Sequence, residues 1–567
     1  MKQLPIVFLI FCSVISRSQE ITTPPTHSNL RAMAEWEEVQ ALTISWTAFP
    51  VILKQIVAAG RLETQVIILT EDPAATQDYL MTANTGGPAF ADMNNVTLLE
   101  GPLNSIWIRD YAANPVYGNE VDSLFLVDWM YNRPRPDDDA SPLLFAEQLG
   151  LELYGTIESP YDMRYTGGNY MSDGFGTAFA SELILEENDG AGDFSIFYPT
   201  HTEAEIDGIM HDFMGINTYV KMPTLPFDGI HHIDMHMKLV NEETLLVGEY
   251  PTGVADGPQI NANIEYVLSN FESKFGTPYN VVRVPMPPST SGLFPDNGGS
   301  YRTYSNAVFV NNTIMFPTYR EEYDSIAYRI WGEVCPGYTL VGIDCDNTGS
   351  NIISQSGAIH CITHTVGVED PLLISHQPLD DTYNDINAYE VVAYMNHRSN
   401  IFAARLYWKL STQNTFTEID MVAIGDNNWQ AAIPAQSVGT IINYYVEGES
   451  YSEKILTRPL PAPAAFWTFE VLGEPSYTSE IEAVSFGKVF PNPAGAITCI
   501  ELNSIRPTTG SIVLIDMMGR KVQDIFSGHL KSGLSKYFFD ASTLGPGVYH
   551  IAVTTEKGRD TISVLVK

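Results

Sequence analysis

The chain has 567 residues, of which 44% are hydrophobic and 17% charged, and its 68 acidic and 30 basic side chains give a formal net charge of −38. That length holds several domains of ~100–200 residues each, and the composition is that of a folded protein rather than a disordered one. A surface this acidic repels nucleic acid and anionic membranes; it serves solubility, or it concentrates cationic ligands.

The first residues read as an export signal, 1–18. Lys2 supplies the positive start, Leu4 to Ile15 the apolar core, and Ser16-Arg17-Ser18 the small residues at which a signal peptidase cuts. The apolar run is too short to cross a bilayer, which needs ~20 residues. Of the five cysteines, Cys12 leaves with the signal. Cys335 and Cys345 could pair, leaving Cys361 free, and so sparse a set argues against a disulfide framework.

From 30 to 370, short β-branched runs alternate with glycine-rich turns and a few helical segments. Thr64–Thr70, Leu245–Val247 and Ala307–Val310 read as strands. Asp256 to Phe275 reads as a helix with Ile264, Val267, Leu268 and Phe271 on one face. This mixture predicts an α/β domain. From 371 to 474 the pattern is all-β, with candidate strands Tyr389–Tyr394, Ala403–Leu410 and Ile441–Glu447, and strand spacing alone suggests an immunoglobulin-like sandwich. The stretch 477–567 is a further β module with three landmarks: Val489-Phe490-Pro491-Asn492-Pro493-Ala494, Asp516-Met517-Met518-Gly519-Arg520, and Leu544-Gly545-Pro546-Gly547-Val548-Tyr549 before the final Lys567. In this order they resemble the C-terminal sorting domain of type IX secretion. That resemblance implies export across an outer membrane, the secretion machinery as a partner, and a secreted or surface-attached product.

Five clusters of chemically capable residues recur at intervals of about 60–70 residues through the first domain. They are Trp107-Ile108-Arg109-Asp110-Tyr111, Tyr165-Thr166-Gly167-Gly168-Asn169 with Ser172-Asp173-Gly174, His231-His232-Ile233-Asp234-Met235-His236-Met237-Lys238, Tyr301-Arg302-Thr303-Tyr304-Ser305-Asn306, and Ser356-Gly357-Ala358-Ile359-His360-Cys361-Ile362-Thr363-His364. These residue types suit a planar, cationic guanidinium ligand. Carboxylates such as Asp110 and Asp234 are its natural partners, because its donors form a rigid fork and a buried cation needs a counter-charge. Attack on its central carbon needs a thiolate, which Cys361 offers. A histidine must then move protons, and His232 shares a face with Asp234 if both lie on a strand. Asp110 and Arg109, likewise on a strand, would point to opposite sides. His360 and His364 have the spacing of a helical metal pair, but the glycine-rich surroundings favour a structural role.

The clusters WIRDY, TGGNYMSDG, HIDMH, YRTYSN and GAIHC together resemble the agmatine deiminase and bacterial peptidylarginine deiminase group of the guanidine-modifying superfamily. The match spans about residues 30 to 370. It implies a five-bladed α/β propeller (pentein), followed here by the immunoglobulin-like and sorting β-sandwiches. By position it implies Cys361 as nucleophile, His232 as acid and base, Asp110 and Asp234 as the guanidinium clamp, and Asn306 as an orienting residue. Trp107 would wall the pocket, and no metal or organic cofactor is required.

Substrate choice turns on the group at the far end of the substrate from its guanidinium. Agmatine ends in an amine there, and arginine carries a carboxylate. Pro134 and Pro136 predict an extended segment from which Arg133 and Arg135, two residues apart, project together and grip a carboxylate. The pair resembles the carboxylate-binding arginines of secreted bacterial peptidylarginine deiminases, and it disfavours an ammonium. The expected substrates are therefore arginine-containing peptides and proteins, with C-terminal arginine preferred. Thr166 stands where some agmatine deiminases have an acid. The alternatives are an agmatine deiminase of the putrescine-forming kind, giving N-carbamoylputrescine, or an inactive surface adhesin that binds arginine-rich peptides.

Overall fold

Five times between residues 31 and 367 the chain builds the same unit: two antiparallel strands, a helix, and a third strand parallel to the second. The computed structural model describes residues 20–192, 196–473, 484–516, 520–555 and 558–567. The export signal at 1–18, the expected boundary at 474–477 and Met517-Met518-Gly519 lie outside them.

The unit recurs as Asn114–Gly118, Ser123–Tyr131, helix Ser141–Leu149 and Leu153–Thr156, and then as Met171–Ser172, Thr177–Ser181, helix Glu203–Met214 and Thr218–Met222. The third is Met237–Asn241, Thr244–Glu249, helix Asp256–Asn270 and Asn280–Pro285, and the fourth Val308–Val310, Thr313–Thr318, helix Glu321–Val334 and Thr339–Asp344. In the fifth, His364–Gly367 pairs antiparallel with Val39–Ser45 from near the start of the chain, and helix Pro50–Gly60 leads to the parallel strand Gln65–Thr70. A parallel strand covered on both faces is apolar throughout, and Val66 to Leu69 are fully buried.

Local signals explain the helices. In Glu203–Met214, Thr202 and Glu205 form a reciprocal capping box, and Gly215 closes the other end in a left-handed conformation. Ile206, Ile209, Met210 and Phe213 fall on its buried face. The helix expected over Asp256–Phe275 stops at Asn270, because Phe271 is extended and turns its ring against Tyr266.

After residue 372 come two antiparallel sheets. One joins Leu373–Ser375, Tyr389–Asn396, Asn428–Ile433 and Val422–Gly425; the other is built on Ile401–Leu410 and Ile441–Ser450. Burial alternates along Tyr389–Asn396, as a strand with one face on a core requires. These sheets belong to the same compact unit as the α/β region. Residues from Gly473 onward form a separate unit, whose sheets join Val484–Phe490, Ile497–Ser504 and Gly533–Asp540, and Lys521–Leu530, Thr508–Asp516, Gly547–Thr555 and Gly558–Val566. Its own core includes Ile500, Leu502, Ile512, Leu514 and Ile551.

Candidate active site

Each of the five clusters lies immediately before the first strand of a unit. Helix Ile108–Tyr111 precedes Asn114–Gly118; the 3-10 turns Gly167–Asn169, Ile233–Met235 and His360–Ile362 precede Met171–Ser172, Met237–Asn241 and His364–Gly367. Tyr301–Asn306 runs into Val308–Val310. The regular spacing of the clusters is thus the length of one structural unit. His232 caps and Asp234 lies within the 3-10 turn Ile233–Met235 rather than sharing a strand, and Asp110 and Arg109 lie on a short helix rather than a strand. The strand argument for their facing therefore does not apply, although the charges of His232 and Asp234 bear on one another.

One side of the site is fully assembled. Cys361 Sγ, buried, accepts from Asn306 Nδ2 at 3.2 Å and lies 3.6 Å from Asp234 Oδ2. Asn306 Oδ1 accepts from the backbone N–H of His360 at 2.9 Å, which fixes the turn bearing the thiol. His360, wholly buried, holds Asp234 Oδ2 from Nδ1 at 2.7 Å and Glu35 Oε1 and Oε2 from Nε2 at 2.9 and 3.0 Å. Glu35 is bonded in turn to Lys238, and Arg109 Nε donates to Thr363 O at 3.0 Å. Burial pushes the Asp234 carboxyl up, but His360, His232 and Arg109 outweigh it and hold the group below its ordinary value. Asp234 Oδ1 has no hydrogen-bond partner among the described residues.

The other side is loose. His232 Nδ1 stands 3.6 Å from Asp110 Oδ1, and its Nε2 is 3.4 Å from Thr166 Oγ1. Neither His232 Nδ1 nor Asp110 Oδ1 has a hydrogen-bond partner among the described residues. Burial lowers the His232 imidazole and raises the Asp110 carboxyl, against the opposing pull each exerts on the other. Gly168 makes this approach possible: a Cβ there would lie 2.4 Å from His232 Nδ1 and 3.0 Å from Asp110 Oδ1. Burial, Asp234 and Asp110 push the Cys361 thiol well above its ordinary value, so the site at rest holds a thiol.

Trp107 caps the helix that carries Asp110 and packs on Gly357, where a Cβ would lie 2.3 Å from its ring. Arg133 and Arg135 do not project from an extended chain. The Arg135 N–H donates to Arg133 O at 2.8 Å, closing a tight turn around Pro134, and Pro136 starts helix Pro136–Asp139. Arg135 Nη1 donates to Tyr131 OH at 2.9 Å, whereas the charge of Arg133 bears on Asp110, His232 and Glu187. Cys335 and Cys345 are buried free thiols, so the suggested pair does not form. His360 and His364 are not on a helix: the 3-10 turn ends at Ile362 and His364 opens a strand.

Sequence reasoning missed Glu35 and Glu187, gave Lys238 no role within its cluster, and took His360 for a purely structural residue. Glu187 is buried, accepts from Asn132 Nδ2, and is raised to about 8 by burial despite Asn132 and Arg133.

The family model for Porphyromonas-type peptidyl-arginine deiminase matches residues 31–366, and that for a secretion system C-terminal sorting domain matches residues 488–567. A protein named "Putative agmatine deiminase" from Shewanella frigidimarina (strain NCIMB 400) is 24% identical over 386 residues, covering 61% of this chain and 96% of its own. Among solved structures, the "Putative Arginine Deiminase from Porphyromonas gingivalis" superposes with a TM-score of 0.51 at 18% identity, over 60% of this chain and 98% of that one. The agmatine deiminase of Enterococcus faecalis gives 0.51 at 18% identity, over 62% and 100%. At such identities the structural likeness speaks for the fold.

Proposed function

Because the chain belongs to the Porphyromonas-type peptidyl-arginine deiminase family and ends in a sorting domain for export to the cell surface or medium, we propose that it hydrolyses the guanidinium of arginine in peptides to citrulline and ammonia. The observation that carries this reading is the convergence of Cys361, Asp234, Asn306, His232 and Asp110 from the segments that precede the first strands of four units. The five units close into a ring with these segments at its centre, and 371–474 is an immunoglobulin-like domain.

In the reaction, the guanidinium enters between Asp110 and Asp234, whose unpartnered oxygens accept its N–H donors. Its positive charge offsets the two carboxylates that hold the thiol protonated, so binding favours the thiolate, and the Cys361 proton passes to the neutral His232. Sulfur bonds to the guanidinium carbon, and the tetrahedral adduct expels one nitrogen as ammonia with a proton supplied by His232. The resulting thiouronium is attacked by water as His232 takes a proton back. The C–S bond then breaks, giving citrulline and the free thiol. Trp107 lies along the alkyl stem. Arg133, with Arg135 behind it, takes the carboxylate of a C-terminal arginine, which makes such peptides the preferred substrates.

A second reading is deimination of agmatine to N-carbamoylputrescine. Glu187, a buried carboxyl with an uncommitted oxygen close to Arg133 and Asp110, favours it as a seat for an ammonium. A comparison of citrulline or carbamoyl product from agmatine, free arginine, and peptides with terminal, amidated or internal arginine decides between them. Product from none of these would overturn the assignment as an enzyme.

A further inference from the structure

Behind the site runs a line of alternating charge, Lys238, Glu35, His360 and Asp234, of which only Asp234 takes part in the reaction. Each contact is made inside the fold. The side chains of His360 and Asp234 are 0% exposed, Lys238 is 1% and Glu35 is 15% exposed. Both ring nitrogens of His360 face carboxylate oxygens. A carboxylate only accepts, so both nitrogens donate and the ring ties Glu35 rigidly to Asp234.

The turn bearing Glu35 is pinned on either side of it. Glu37 Oε1 accepts from Ala34 N at 2.8 Å and pairs with Arg31 at 2.5 Å. From the antiparallel sheets beyond residue 372, Arg458 Nη1 donates to Trp36 O at 3.2 Å and Lys454 Nζ pairs with Glu38 at 2.5 Å. Little freedom is left at the far end of the line. This immobility fixes Asp234 at the near end: Oδ2 is held by His360 beside Cys361, and Oδ1 alone remains for a ligand.

We propose that Glu35 is a positioning residue for the reaction, acting through His360 to hold Asp234 in the orientation that presents Oδ1 to the guanidinium and keeps Oδ2 beside Cys361. This rests on the assignment of Cys361 and Asp234 under Proposed function. Glu35 itself touches neither the thiol nor the substrate. Replacing it by glutamine sets an amide against a ring nitrogen that must donate and removes the charge that balances Lys238. Asp234 is then held from one side only.

The test uses the full-length exported protein and two alkylating probes of similar size, a cationic haloacetamidine and a neutral haloacetamide, with the modified cysteine identified by mass spectrometry. A correctly held Asp234 draws the cation to Cys361, so the ratio of the two rates reads the carboxylate and not general accessibility. Glu35→Gln is expected to lower that ratio about tenfold, and to lower kcat on an arginyl peptide by a similar factor with a smaller change in KM. Glu35→Asp, which keeps the charge with a shorter reach, is expected to recover part of both, and it carries the same test should the glutamine variant fail to fold. An unchanged ratio in a folded Glu35 variant, or an equal fall in both rates, would overturn the positioning role while leaving the catalytic assignment standing. A wild-type enzyme that neither releases product nor labels at Cys361 overturns both.

Discussion

Beside Cys361, the Glu35–His360–Asp234 contacts measure 2.7–3.0 Å, whereas Asp110 and His232 across the site stand 3.6 Å apart with an unpartnered polar atom on each. The first side is fixed in place before any ligand arrives, with Asp234 Oδ1 left open to meet one. The second needs a planar donor to satisfy it, and a guanidinium supplies five N–H groups. The contrast shows two outcomes of burying a carboxylate: around Asp234 charged partners outweigh burial and keep the group ionised, whereas Asp110 is left at a cost that the substrate relieves.

The largest expected effect removes the atom that both sides surround. Cys361→Ala should reduce citrulline formation by about 10⁴-fold or more with the melting temperature nearly unchanged, since one buried sulfur is deleted and its neighbours keep their other bonds. A colorimetric ureido assay with thermal melting checks it, and retained turnover would show that the covalent route is wrong.

Next come the two carboxylates, whose amide variants should separate activity from stability. Asp234→Asn and Asp110→Asn should each lower kcat/KM by about 10²-fold or more, because each removes half of the clamp. In denaturant melts, however, Asp234→Asn should cost about 1–3 kcal/mol by setting an amide against His360 Nδ1, although Glu35 still holds Nε2. Asp110→Asn should cost under about 1 kcal/mol, because folding already disfavours the charge of that buried carboxyl. Equal losses would erase the distinction between the two sides. The pH dependence sharpens it. Asp234 has a folded pKa below the ordinary aspartate value of ~3.9, so its contribution is full above that value and is lost as the pH falls through the lower folded one. The stability gap between wild type and Asp234→Asn should therefore narrow as the pH is lowered below about 4, and stay level above about 5.

The loose side was the more legible in sequence. Asp110, the paired glycines and His232 stand in short motifs whose residue types state their chemistry, and each motif sits directly before a strand. The rigid side depends on Glu35 meeting His360 across 325 positions, and no local pattern announces such a meeting. His360 stood in the last motif without a role of its own, and its spacing from His364 means something on a helix and nothing across a 3-10 turn. The candidate strands Tyr389–Tyr394, Ala403–Leu410 and Ile441–Glu447 fall within strands of the structure, whereas the conformation of 133–136 was not readable. Two prolines favour extension and turn alike, and the choice is made by Pro136 starting a helix.

The smallest expected effect concerns the rim, where two neighbouring cations face different surroundings. Arg135 is committed to Tyr131 OH at 2.9 Å and Ser105 Oγ at 3.3 Å, while Arg133 donates to Asn132 O at 3.1 Å and its charge bears on the carboxyls of Asp110 and Glu187. A peptide ending in arginine offers a carboxylate to these cations, and amidating it removes the charge. Wild type should prefer the free acid by about 10²-fold in kcat/KM, from charge-assisted bonds of ~1.5–3 kcal/mol net. Arg133→Ala should remove most of that preference and Arg135→Ala less, because Arg135 is turned toward Tyr131 and Ser105 and away from the two carboxyls. The double variant should bring the ratio near unity with kcat on the amidated peptide within about threefold of wild type, since neither side chain meets the reacting carbon. Measuring both peptides on all four proteins closes the cycle and exposes any coupling between the two arginines. Equal rates on both peptides in wild type would refute the clamp. Should agmatine then prove the faster substrate, Glu187→Gln should depress its turnover while sparing the peptides, and the uncommitted carboxyl at the rim would be the specificity group instead.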